Sequence, residues 1–141
     1  MSTKVAFTAR RLFTPSDEIF DPLMIVEDGQ ITAVSSLSAQ SAESNARLVD
    51  FGDAAIAPGF LDIHMHGGAG IDVMRAAPSE LPQLGKFLVT HGVTGYFPTT
   101  VAAPLDSTCA ALEDLADAIE ASEATDAKTA QARPLGIHLL W

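Results

Sequence analysis

The spacing of the apolar residues constrains this chain most. From Gly59 onward that spacing alternates between a period of two and a period near 3.6. Residues 60–66 alternate as a strand does. In residues 79–92, Ser79 stands as a helix N-cap, Pro82 falls in the first turn, Leu81, Leu84 and Leu88 form one stripe, and Gly92 closes the helix. Residues 93–99 read as a second strand with Pro98 near its end. Leu105, Cys109, Leu112, Ala116 and Ile119 make the stripe of a second helix, with Cys109 packed on it. Residues 121–133 read as a polar linker and residues 134–140 as a third strand. Strands that alternate with helices pair in parallel through right-handed crossovers. The options are an open doubly wound sheet or a closed eight-stranded barrel. No Gly-x-Gly-x-x-Gly loop follows the first strand, which weakens the nucleotide-binding option.

Residues 1–57 read as a small β domain ahead of residues 58–141. Strands are expected over residues 4–13, 23–26, 31–34, 47–51 and 54–57, and a loop over residues 35–45. Asp28-Gly29 between two apolar runs predicts a hairpin, because a type I′ turn needs positive φ at both central positions. Together these segments suggest a small antiparallel sheet with a structural role.

Chemistry concentrates in Pro58-Gly59-Phe60-Leu61-Asp62-Ile63-His64-Met65-His66-Gly67-Gly68. On a strand, Leu61, Ile63 and Met65 would share one face, and Asp62, His64 and His66 the other. Two imidazoles at i and i+2 then point the same way, close enough to hold one cation. Gly67, Gly68 and Gly70 allow a tight turn beside them. In a barrel, ligands gather at the C-terminal ends of strands, which is where this pair stands.

Composition narrows the remaining classes. The apolar fraction of 48% can support a core. A single cysteine excludes an intrachain disulfide and fits a reducing, cytoplasmic setting. The N-terminus shows no apolar run of a secretory signal, and no stretch approaches the roughly 18 apolar residues of a membrane span. A net charge of −10 argues against nucleic acid or an anionic membrane as partner. Seven acids and no base lie within residues 106–126, the pattern of a solvated helix face.

The segment Pro58 through Gly67 resembles the first barrel strand of the amidohydrolase superfamily. More narrowly, the chain resembles the N-acetylglucosamine-6-phosphate deacetylases. Asp28-Gly29-Gln30-Ile31 fits their N-terminal β domain. The stretch His91-Gly92-Val93-Thr94-Gly95-Tyr96-Phe97-Pro98-Thr99-Thr100 is similar to their second strand, and Gly136-Ile137-His138-Leu139 to their third. The first motif alone also suits dihydroorotase- or hydantoinase-like enzymes. The resemblance implies an α/β fold: the first three strands and two helices of a (β/α)8 TIM barrel, preceded by a small β-sandwich-type domain, both incomplete. It implies a divalent metal, zinc, as one or two ions, with His64 and His66 among its ligands and Asp62 orienting its neighbours. The reaction it implies releases acetate from N-acetylglucosamine 6-phosphate, in proteins that assemble as homodimers or homotetramers.

The chain departs from that pattern at its end. The family's third strand closes Gly-Ile-His-Leu-Glu-Gly-Pro, and its Glu binds metal; here Leu140 and Trp141 follow Leu139. An alkyl side chain offers no electron pair to a cation. By alternation Leu140 shares a face with His138 and Gly136, and His138 itself reads as a packed residue. No residue of this chain matches the family's catalytic Asp, so the expectation is a truncated deacetylase, inactive alone. The alternative is a small module that binds a metal or a partner without catalysis.

Overall fold

Two tight turns and a run of parallel strands organise the chain, whose computed structural model describes residues 3–39, 46–123 and 129–140. Its internal contacts divide it into two units, Met1–Pro58 and Gly59–Trp141.

The first unit holds β1 (Lys4–Thr8), β2 (Arg11–Phe13), β3 (Glu18–Phe20), β4 (Pro22–Glu27), β5 (Gln30–Ser36), β6 (Arg47–Asp50) and β7 (Ala55–Ile56). They form a four-stranded sheet, β5-β4-β1-β6, and a three-stranded sheet, β3-β2-β7. The β4–β5 hairpin turns at Asp28 (φ 49°) and Gly29 (φ 81°), the two positive angles that a type I′ turn demands. Asp28 is held further, since its carboxylate accepts the Thr3 N–H at 3.0 Å. Ala6, Leu23 and Ile25 form the core of this unit. The sheets are not purely antiparallel: β6 runs parallel to β1, and β7 parallel to β2. Short apolar runs carry no sign of pairing direction, and the β4–β5 hairpin supplies the connection that brings β6 back beside β1 in the same sense. β3 is too short to show a period. The loop expected over residues 35–45 begins later, after Ser36 and a 3-10 turn at Leu37–Ala39, and residues 40–45 lie outside the described residues.

The second unit holds β8 (Phe60–Met65), β9 (Gly67–Gly68), β10 (Ile71–Asp72), α1 (Leu81–Val89), β11 (Val93–Pro98), α2 (Leu105–Glu123) and β12 (Arg133–Pro134). β8, β11 and β12 make a parallel sheet in the order β12-β11-β8, so this unit is mixed α/β. Leu84, Leu115, Tyr96, Val73 and Met65 pack in one core cluster. The α1 stripe is the expected one, with Leu81, Leu84 and Leu88 buried. Its cap is not Ser79 but Glu80, whose carboxylate instead accepts the Ala77 N–H at 2.9 Å.

The buried stripe of α2 is rotated from the expected one. Thr108, Ala111, Leu115 and Ala118 are buried, whereas Leu105, Cys109 and Ala116 are exposed. Small residues allow close approach of a helix to its neighbours, so counting large side chains misplaces the stripe. Cys109 is therefore a solvent-facing thiol and not a packed one. The third strand is also shorter than expected. Beyond β12 its ladder to β11 dwindles to an isolated bridge between Thr99 and His138. Pro98 and Pro134 offer no N–H to that ladder.

Tyr96 is fully buried, and among the described residues its hydroxyl has no hydrogen-bond partner. Burial pushes its pKa from 10.0 up to about 12. A folded-state pKa raised above the unfolded one gives stability that is complete below pH 10.0 and drains away as the pH climbs to about 12. Tyr96→Phe should abolish this alkaline loss and at neutral pH leave stability unchanged or raise it by about 1–3 kcal/mol, the cost of an unpaired buried polar group. Urea unfolding midpoints from pH 7 to 11.5 test both parts.

Candidate metal centre

The parallel start of β8 and β11 brings their C-terminal ends together. Leu61 pairs with Gly95 and Asp62 with Tyr96, and then Met65 pairs with Pro98. β8 thus carries one extra residue between the last two pairs, a bulge that breaks the two-residue alternation and re-aims the side chains after it. Two expectations change as a result. Leu61, Ile63 and Met65 do not share one face: Met65 is 8% exposed, Leu61 53% and Ile63 64%. Asp62 keeps step with buried Tyr96 rather than with the imidazoles, and its Oδ1 accepts the His64 backbone N–H at 3.1 Å.

Despite the bulge, His64 and His66 do lie on the same side. Their Nε2 atoms are 3.2 Å apart, and their ring centroids are 4.9 Å apart with the planes at 86°. His66 Nδ1 lies 2.9 Å from the Thr99 carbonyl oxygen. A carbonyl only accepts, so Nδ1 carries the hydrogen and His66 Nε2 keeps its lone pair. In the neutral pair His64 Nε2–H donates to that lone pair. After His66 the chain turns back through the β9–β10 hairpin. A Cβ on Gly67 (φ 143°) would run into the Ile71 carbonyl, so glycine is required there.

Three residues that sequence reasoning passed over or read as packing complete the surroundings. The Thr99 hydroxyl accepts the Met65 N–H at 3.0 Å, and the Thr99 N–H donates to the Met65 carbonyl at 2.7 Å. The Thr100 hydroxyl accepts the Leu140 N–H at 2.9 Å. His138 donates from Nδ1 to the Ile63 carbonyl at 3.1 Å, and its ring stands edge to face on His64 with centroids 5.0 Å apart. The signal for Thr99 was available, because parallel strands that start together at Val93 and Phe60 place Thr99 beside His66. The fourth histidine, His91, just past the end of α1, turns its Nδ1 to the Phe87 carbonyl of that helix, 3.0 Å away.

The donor pair fits one cation. Nitrogens held about 2.0–2.1 Å from a tetrahedral metal sit roughly 3.3 Å from each other, close to the spacing of the two Nε2 atoms. Among the described residues no group of three His, Cys, Asp or Glu side chains converges to hold a metal ion. Catalytic zinc takes three protein ligands, so this pair falls one short. The small cavity of about 60 Å³ lined by Leu81, Pro82, Ala118 and Pro134 involves neither imidazole. Among the described residues no helix is long and apolar enough to cross a membrane.

No family model matches the chain. An N-acetylgalactosamine-6-phosphate deacetylase of Escherichia coli O157:H7 is 38% identical over 108 residues, 77% of this chain and 27% of that protein. The N-acetylglucosamine-6-phosphate deacetylase of Vibrio furnissii is 34% identical over 111 residues, 78% of this chain and 27% of that protein. The fold matches the crystal structure of the N-acetylglucosamine-6-phosphate deacetylase from Pasteurella multocida with a TM-score of 0.78, at 19% identity, over 96% of this chain and 34% of that one. The chain thus spans about 27% of the length of these two curated relatives.

Proposed function

We propose that this chain, similar in sequence and in fold to the N-acetylglucosamine-6-phosphate deacetylases, supplies the first metal-holding strand of an enzyme that removes acetate from an N-acetylated amino-sugar phosphate. The observation that carries this reading is the pair of imidazole Nε2 atoms 3.2 Å apart at the end of a parallel strand. Their place at the C-terminal end of β8 matches the opening of a (β/α)8 barrel, where active sites gather. His64 and His66 are the residues that would hold a divalent cation, zinc being suited to imidazole nitrogen. When bound, such a cation polarises an amide carbonyl and makes a water acidic near neutral pH. The chain's own groups prepare for it. The Thr99 carbonyl fixes the His66 tautomer, and the Thr99 side chain locks the end of β8 to β11.

Leu140 departs from this reading. Where the resemblance expects a carboxylate ligand, this chain offers an alkyl group, which leaves the cation with two protein ligands. The 141-residue chain should therefore bind Zn2+ but release no acetate from N-acetylglucosamine 6-phosphate. Acetate assays on the zinc-loaded chain test this. Turnover by the chain alone would overturn the two-ligand account, and failure to bind any divalent metal would overturn the deacetylase reading.

A further inference from the structure

The bulge in β8 falls at Ile63 and His64, between the Asp62–Tyr96 and Met65–Pro98 pairs, and two side chains grip it there. The peptide that joins Ile63 to His64 is held at both ends. Its carbonyl accepts the His138 Nδ1–H at 3.1 Å, and its N–H donates to Asp62 Oδ1 at 3.1 Å. One grip comes from the neighbouring residue and the other from a residue 75 positions away. The His138 ring also stands perpendicular to the His64 ring, with planes at 89° and centroids 5.0 Å apart, so it limits how that imidazole can turn.

We propose that Asp62 and His138 are positioning residues that clamp the Ile63–His64 peptide across the bulge and thereby aim the His64 imidazole at the cation. For its purpose the proposal rests on the metal reading; its geometry stands without it. An irregular strand segment would otherwise let His64 swing, because a bulge weakens the ladder that fixes side-chain direction. Partners that orient metal-binding imidazoles affect metal affinity by about 10–100-fold. The clamp assigns His138 a role other than ligand. Its Nδ1–H, like that of His66, leaves Nε2 with a lone pair, but its ring is set edge to face against His64, and among the described residues no third donor converges with the pair.

The test uses the full chain and Co2+ as the probe. Asp62→Ala and His138→Ala should each weaken Co2+ binding about 10–100-fold, with the visible spectrum of the saturated protein unchanged. Asp62→Asn keeps an acceptor and His138→Asn keeps an N–H at the equivalent position, so both should stay close to wild-type affinity. Unaltered affinity in the alanine variants would overturn the clamp. An altered spectrum in both His138 variants would also overturn it and make His138 a ligand. Hydrogen exchange at the His64 amide provides a metal-free readout, with faster exchange expected in both alanine variants. If the wild-type chain takes up no Co2+, the metal reading fails, and the exchange rates still decide whether the clamp exists.

Discussion

Replacing either His64 or His66 with alanine should weaken Zn2+ binding by the chain roughly 100- to 1,000-fold, each ligand carrying about a quarter of the ~10–16 kcal/mol typical of four-ligand zinc sites. The expectation rests on the 3.2 Å separation of the two Nε2 atoms, which lets one cation engage both and neither do so alone with comparable strength. The effect should be the same at both positions, because losing either ligand leaves one imidazole and solvent. His91→Ala is the control, since its Nδ1 is turned to the end of α1 and it should leave affinity unchanged. Isothermal titration of Zn2+ into the wild type and the three variants measures this. A large loss at His91, or at only one of the paired histidines, would contradict a shared site.

Leu115→Ala should destabilise the Gly59–Trp141 unit by about 2–5 kcal/mol, the range for deleting a buried leucine. Leu115 has no exposed surface and sits in the same core cluster as Leu84 and Tyr96. That loss is a large fraction of the ~5–15 kcal/mol that holds a domain together. Leu105→Ala, on the stripe expected from the sequence, should change stability by less than about 0.5 kcal/mol, because Leu105 is 59% exposed. Urea unfolding of the two variants distinguishes the stripes. Equal losses would mean that α2 packs through the stripe of its large residues after all.

The contrast within α2 shows how much was legible in the sequence and why. Periodicity finds a helix readily but places its buried face by side-chain size. Here Ala111 and Ala118 do the packing, and alanine carries little hydrophobic signal. The Asp28-Gly29 turn was legible because positive φ is a demand that few residues meet. The shared side of His64 and His66 was legible for a different reason: from His64, the second residue of the bulge, onward alternation holds again. Asp62 lies on the other side of the extra residue, so alternation assigned it to the wrong company. A bulge leaves no mark in composition. His138 and Thr99 act through distances of 75 and 33 positions along the chain, and such contacts exist only once β8, β11 and β12 lie side by side.

The most direct measurement is a titration of Zn2+ into nitrogen-15-labelled chain, with the imidazole nitrogens of all four histidines observed by NMR. The Nε2 signals of His64 and His66 should move together and saturate at one equivalent, while His91 stays where it is and His138 keeps its Nδ1 hydrogen. Zinc that shifts only one of the pair, or that moves His91 instead, would contradict the account.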